Sequence, residues 1–195
     1  MNLVLASGSP RRKELLLEVG LNFTLYTADF DESTVSLSHP EEGVKELAKG
    51  KASAALSKWQ NDPSAPFPLT SDTYFLGADT IVVLNGVAMG KPKDEEQAFS
   101  MLQSLSGNVH QVYTGVALLS PAKVETFAVK TDVYFKDLSE EEIRAYIATG
   151  EPMDKAGAYG IQGLGGALVD HIEGDYQNVV GLPVSETLIR LTNCN

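Results

Sequence analysis

Apolar positions along this chain repeat with two different periods, and the switches between them predict its elements. Leu3 to Ala6 is a short apolar run followed by Ser7, Gly8, Ser9 and Pro10, the residues expected where a strand turns into a helix. Pro10 suits the first helical position, Ser9 can cap the free amides, and Leu15, Leu16 and Val19 form a buried face before Gly20 ends the helix. Residues 23 to 27 read as a second strand. A polar loop from Ala28 to Ser38 leads to Pro40, Glu41 and Glu42, which start a helix with an apolar stripe of Val44, Leu47, Ala48, Ala52, Ala55 and Leu56, ending near Trp59. The stretch from Asn61 to Pro68 is the most loop-like in the chain and reads as a surface insertion or a hinge, not as a domain boundary.

Tyr74 to Leu84 is a β-branched apolar run, and Asn85-Gly86 after it is a two-residue hairpin signal leading to Val87, Ala88 and Met89. Asp94 and Gln97 have capping-box spacing for a helix through Leu105, and Ser139 and Glu142 have it for another that Gly150 closes. Between these helices, residues 109 to 119 and 124 to 135 read as a pair of long strands. Gly157 to Gly166 reads as loop and short strand, Ala167 to Ile172 as strand, and Pro183 to Leu191 as a final helix beginning at a proline. Helices and strands alternate while the hairpin signals demand antiparallel pairs, so the predicted class is α/β with a mixed sheet. With 195 residues and no internal repeat, the chain reads as a single domain over 1–195, with room for two lobes.

Composition narrows the function classes. A hydrophobic fraction of 43% and a charged fraction of 21% fit a packed core. The net charge of −11 argues against a nucleic-acid or anionic-membrane partner, so any phosphate site must be a local basic pocket. Cys194 is the only cysteine, which excludes an intramolecular disulfide and a thiolate metal cluster and fits a reducing cytoplasm. The opening residues lack the basic region of a signal peptide and no segment has membrane-spanning length, so the expectation is a cytoplasmic protein that is neither secreted nor anchored.

Several polar residues stand in positions that ask for a partner. Ser7-Gly-Ser-Pro-Arg-Arg12 places small residues, free amides and two guanidinium groups at a helix N-terminus, a place that favours a phosphate; a capped helix with two solvent-facing arginines is the plain alternative. Arg12 leads Leu15, Leu16 and Val19 by three, four and seven positions and so runs along the buried side. Lys51 shares its helix face with Val44, Leu47, Ala48 and Ala55, where it either meets a partner or snorkels to the edge of the core. Asp79 interrupts the apolar run 75–84; it either caps a bend after Gly77 or binds a cation such as Mg²⁺ and accepts a proton from an attacking water. Asp31-Glu32 reads first as a solvated pair and Lys91 as a surface residue before a proline. Together, two carboxylates with Arg11, Arg12, Lys51 and Lys91 are the parts needed to hold a metal and neutralise a triphosphate. His39, His110 and His171 have no metal-ligand spacing and read as structural or exposed.

The motif Leu5-Ala-Ser-Gly-Ser-Pro-Arg-Arg-Lys-Glu-Leu-Leu16 resembles the opening of the Maf family of nucleotide pyrophosphatases. The resemblance continues in order through Asp31-Glu32, Lys49-Gly-Lys-Ala52, Gly77-Ala-Asp-Thr80, Gly90-Lys-Pro92, Ser106-Gly107, Tyr113-Thr-Gly115, Gly150-Glu-Pro152, Asp154 to Gly163 and Val180-Gly-Leu-Pro183. It implies a mixed α/β fold related to the inosine triphosphate pyrophosphatases (Maf/Ham1), two lobes around a cleft, a homodimer, and a divalent cation (Mg²⁺, Mn²⁺ or Co²⁺). By the same resemblance Asp79 is the catalytic proton acceptor, with Ser7, Arg11, Glu32, Lys51 and Lys91 around phosphates and metal. The activity implied is cleavage of dTTP or UTP to the monophosphate and pyrophosphate, in nucleotide-pool sanitation or cell-division arrest. The positions linked to base choice hold Arg12, Thr80 and Gln162, which resemble the dTTP/UTP branch; broader cleanup of modified or noncanonical nucleotides, a 7-methyl-GTP pyrophosphatase, and a nucleotide-binding regulator of septum formation with little turnover are the competing readings. The Pro-rich stretch at 61–68 is the main departure from the family pattern.

Overall fold

The structure, a computed structural model, describes residues 1–193; Cys194 lies outside them. Seven strands form one mixed sheet: β1 (Asn2–Leu5), β2 (Thr24–Leu25), β3 (Thr73–Leu84), β4 (Val87–Met89), β5 (Val109–Leu119), β6 (Val124–Phe135) and β7 (Val169–Glu173). Their order is β2-β1-β3-β5-β6-β7, with β4 also on β3. β1 runs parallel to β2 and β3, and the remaining pairs are antiparallel. The six α-helices among the described residues are α1 (Pro10–Glu18), α2 (Pro40–Gln60), α3 (Glu95–Leu105), α4 (Glu140–Ile147), α5 (Tyr176–Val180) and α6 (Val184–Thr192).

The register of β3 explains where the site lies. β1 covers one side of β3 only as far as Leu76, and β4 covers that side only from Val82 onward. From Gly77 to Ile81 the strand has β5 on one side and no strand on the other. The sheet therefore has a gap in one flank, framed by the end of β1 and by the short hairpin at Asn85-Gly86, whose two residues both have positive φ as the turn requires.

Alternation along the long strands divides the core. Tyr74, Leu76 and Ala78 face α1, α5 and α6, packing with Leu15, Leu16, Leu182 and Leu191; farther along, Val82 joins Leu102, Leu105, Ile143 and Tyr146 of α3 and α4. Opposite them, Phe75 packs under Ala48, Ala52, Ala55 and Trp59 of α2. Trp59 closes this second layer with Tyr26 at 4.7 Å, Phe67 at 4.8 Å and Phe75 at 5.6 Å between ring centroids, and its indole N–H donates to the Phe67 carbonyl at 3.2 Å. The 61–68 stretch is thus a cover for the end of α2.

α2 lies unusually close to the sheet, because Gly77 and Gly115 present no side chain beneath it. A Cβ at Gly77 would collide with the Ala48 carbonyl oxygen, and one at Gly115 would collide with that of Val44. Small residues on the helix side, Ala48 and Ala52, complete the fit.

Where structure and pattern differ, local geometry gives the reason. Helix α1 stops at Glu18, so Val19 lies past its end and is exposed. Ser9 occupies the cap position but makes no side-chain cap bond. The 23–27 strand shrinks to Thr24–Leu25, and 157–166 holds 3-10 turns with no strand among the described residues. Pro183 is the cap of α6, one residue before its first helical position, and α5 is an element that the periodicity does not reveal. The other two caps behave as their spacing predicts: Ser139 and Glu142 form a full capping box, and Asp94 accepts from the Gln97 amide, although the Gln97 side chain turns to the Lys93 amide.

His110 is structural, as expected: it is fully buried on β5, 2.7 Å from the Tyr159 hydroxyl through Nε2, and burial pushes its pKa down from 6.5 to about 4. Two outcomes follow from these packing arrangements. Gly77→Ala will lower unfolding free energy by about 3 kcal/mol or more in a denaturant titration, because only backbone movement can relieve the overlap with α2. Above pH 6.5 His110 is neutral in folded and unfolded chains alike; as pH falls from 6.5 toward 4 the unfolded chain takes up a proton that the folded one refuses. Stability should therefore decline by roughly 3 kcal/mol over that window from this residue, and His110→Gln should flatten that part of the stability-against-pH curve.

Candidate active site

The gap beside β3 opens into a cavity of 1070 Å³, lined by Ser7, Arg11, Arg12, Glu32, Lys51, Asp79, Thr80, Lys91 and Gln162. All nine residues singled out in the sequence therefore meet in one place, brought together from widely separated stretches of chain.

At its centre are two carboxylates on one ammonium. Lys51 projects from the sheet-facing side of α2 and places Nζ 2.5 Å from Asp79 Oδ1 and 2.9 Å from Glu32 Oε1. Asp79 is buried in β3 on the α2 face, and the lysine supplies the counter-charge that its burial demands. Glu32 arrives from the loop before α2, where it begins a 3-10 turn (Glu32–Thr34) capped by Asp31, whose carboxylate accepts from the Ser33 amide at 3.1 Å. Asp31 is thus the turn's anchor, and Glu32 alone of that pair enters the cavity. The ring of Phe30 seats against α2 at Gly50, next to Lys51, and brings this turn into reach.

Arg12 forms a second, separate cluster. Its Nε donates to the Gly181 carbonyl at 2.8 Å, Nη1 to Ser7 Oγ at 3.1 Å and Nη2 to Thr80 Oγ1 at 3.0 Å. Burial is the main cause lowering the pKa of this guanidinium, opposed by Asp79 and Glu32, while Arg11 adds to the lowering. Three of its five N–H groups are spent on the protein, so Arg12 ties the start of α1 to β3 and to the segment after α5 and keeps two donors for anything else. Arg11, Lys91 and Gln162 differ: among the described residues none of the three has a hydrogen bond or ion pair, and all three line the cavity.

Other residues at the site escaped sequence reasoning. Lys155 donates to the Glu151 carbonyl at 3.0 Å and pairs with Asp154 at 2.7 Å, and all three line the far wall. Glu151 holds that wall in shape by accepting from Tyr146 Oη at 2.9 Å, the Leu164 amide at 2.9 Å and the Gly165 amide at 3.0 Å. Burial pushes the Glu151 carboxyl upward, but the amides of Gly165 and Leu164 and the Tyr146 hydroxyl outweigh it, and the group sits below its ordinary value. These residues lie in motifs that were visible in the sequence; the bonds that give them meaning span up to fourteen positions and carry no local signature.

Glu32 and Asp79 each keep a second carboxylate oxygen with no hydrogen bond among the described residues. No group of three or more His, Cys, Asp or Glu suited to a metal occurs among those residues. Two convergent carboxylates are a partial shell, of the kind Mg²⁺ uses when phosphate oxygens of a ligand and water complete it. The donor set fits a hard divalent cation held jointly with a polyphosphate.

Comparison with known proteins gives matches over nearly the whole chain. Residues 2–194 match the family model described as Maf-like protein. A dTTP/UTP pyrophosphatase of Desulfitobacterium hafniense (strain Y51) is 53% identical over 191 residues, covering 97% of this chain and 84% of that protein. One from Geobacillus sp. (strain WCH70) is 51% identical, covering 95% of this chain and 94% of its own, and one from Clostridium novyi (strain NT) is 49% identical, covering 95% and 93%. Among solved structures, the Staphylococcus aureus Ham1 protein aligns over 70% of this chain and 73% of its own with a TM-score of 0.48 and 15% identity.

Removing the Glu151 carboxylate would leave two backbone amides and a phenol without their acceptor. Glu151→Ala is expected to cost about 2 to 4 kcal/mol in denaturation and to make residues 156–166 the first site of limited proteolysis; unchanged cleavage there would show that the wall is held by other means.

Proposed function

The chain belongs to the Maf-like protein family, and on that premise we propose that it is a nucleoside triphosphate pyrophosphatase that hydrolyses dTTP and UTP to the monophosphate and pyrophosphate. The Glu32–Lys51–Asp79 cluster at the centre of a cation-lined cavity carries the reading. The chain as a whole has an excess of carboxylates, with 26 Asp and Glu against 15 Lys and Arg, so a pocket that gathers several of its cations stands out from its surroundings.

Phosphoryl transfer asks a protein mainly to position groups and to stabilise charge. Arg11 and the amides at the start of α1 face the cavity as anion binders, and Lys91, just after β4, lines it as a further cation. Lys51 lies between the two carboxylates, where it can follow the triphosphate and neutralise charge that grows on the leaving pyrophosphate. Asp79 is the group to accept the proton of a water attacking the α-phosphorus, through the oxygen that Lys51 does not hold. Glu32 and Asp79 are the residues that would hold a divalent cation (Mg²⁺, Mn²⁺ or Co²⁺), which when bound supplies Lewis-acid charge at the phosphates. Arg12, Thr80 and Gln162 supply the polar atoms that meet the base.

We also infer a homodimer working in the cytoplasm, with no nucleic-acid or membrane partner. The net charge of −11, which disfavours binding to polyanions, supports the absence of such partners. Nucleotide-pool sanitation and arrest of cell division are the roles such an activity fits.

Pyrophosphate release from a panel of nucleoside triphosphates, with Mg²⁺, Mn²⁺ or Co²⁺ and after chelation, tests the assignment. Fast release from dTTP and UTP, abolished by chelator and restored by the cation, is the expected result. Turnover of 7-methyl-GTP alone would move the protein to the sister branch, and no turnover by folded protein would favour a binding regulator. Asp79→Asn should keep its fold and lose about a hundredfold or more in kcat.

A further inference from the structure

Behind the cavity wall runs a chain of hydroxyl groups whose proton directions follow from the acceptors around them. Thr80 Oγ1 lies 2.8 Å from Thr114 Oγ1, on the neighbouring strand, and Thr114 Oγ1 lies 2.9 Å from the backbone carbonyl of Asn178. Asn178 is fully buried at the end of this chain, anchored through Nδ2 to the Val112 carbonyl at 3.1 Å and to Thr131 Oγ1 at 2.9 Å. The Asn178 carbonyl needs a donor, and Thr114 is the one beside it, so the single Thr114 proton points to Asn178.

Thr114 can then only accept from Thr80, and the Thr80 proton is directed into the protein. The other acceptor near Thr80 is the Gly181 carbonyl, which at 3.4 Å is at the limit of a hydrogen bond and already accepts from Arg12 Nε at 2.8 Å, so Thr114 is the group that holds the Thr80 proton inward. On its remaining side Thr80 Oγ1 already accepts from Arg12 Nη2, at 3.0 Å. One lone pair is left, and Thr80 lines the cavity.

We propose that Thr114 is a positioning residue that makes the Thr80 hydroxyl a pure hydrogen-bond acceptor toward the cavity, so that the site favours a pyrimidine with a protonated ring N3, uracil or thymine, over cytosine. Neutral cytosine carries a lone pair at N3 and would meet lone pair with lone pair, leaving two desolvated acceptors unpaired, a mismatch that sites built on hydrogen bonding reject strongly. The inference rests on the pyrimidine-nucleotide reading above and adds to it the atom that separates uracil from cytosine. Gln162, also on the cavity wall, cannot make this distinction alone, because its amide offers both a donor and an acceptor.

The test is binding of the non-hydrolysable α,β-methylene analogues of UTP and CTP to the full chain by calorimetry. Wild type should bind the UTP analogue about tenfold tighter or more. Thr114→Val releases the Thr80 proton to face the ligand and should shrink the ratio to about twofold, whereas Thr114→Ser, which keeps the relay, should preserve it. A merely structural role for Thr114 would weaken both analogues together and leave their ratio untouched. Thr80→Val, on the cavity wall, should likewise abolish the preference, and it serves if the buried variant does not fold. Equal affinity in wild type, or a full preference retained in Thr114→Val, overturns the proposal. Selective binding without pyrophosphate release from UTP would instead overturn the hydrolase reading and leave the Thr80 assignment in place.

Discussion

The approach of α2 to the sheet at Gly77 and Gly115 is the constraint on which the site depends. With a side chain at either position the helix would ride higher, and Lys51 would no longer reach Asp79 across the helix–sheet interface. An aspartate in the middle of an apolar strand is tolerable only with a partner of opposite charge held at short range. Backbone contact between α2 and two strands is thus what allows a carboxylate to be kept in the core of this fold. Glu32 is drawn into the same arrangement by Lys51, so three charged groups from three elements share one anchor.

The interruption in strand pairing along β3 supplies the opening. Residues 77–81 have a neighbour on one side only, and alternation turns Asp79 to the α2 face and Thr80 to the face of α1 and α5. A gap in the sheet's flank lets one cavity reach both faces, so the charge-handling cluster and the Arg12–Thr80 cluster can sit on successive residues without crowding each other. Arg11, Lys91 and Gln162 stand around that opening without a side-chain hydrogen bond or close ion pair among the described residues, whereas Arg12 is committed to the fold. Two adjacent arginines therefore do different work.

Local signals made much of this legible in the sequence. The stripe of α2 put Lys51 on the buried face, the run 109–135 marked the central hairpin, and Ser139 with Glu142 fixed the start of α4, because each depends on spacing within a few residues. Elements too short for a period to develop, such as α5 and the turns of 151–168, were hidden. Val19 misled because the helical period was carried one residue past the point where the helix ends. In the site, isolated charges in apolar surroundings were conspicuous, whereas Thr114, Asn178 and Glu151 were not. The importance of the first two lies in partners 34 to 66 residues away, and that of the third in backbone amides that no sequence pattern exposes.

The aromatic cage around Trp59 has a practical consequence. This is the sole tryptophan of the chain, and it closes the C-terminal end of the helix that carries Lys51. Packed edge-on and tilted among Tyr26, Phe67 and Phe75 and sheltered from solvent, its indole emission reports on the seating of α2 on the sheet. The protein thus contains a built-in optical probe of the element that assembles its charged centre, readable without a label and separate from any measurement of turnover.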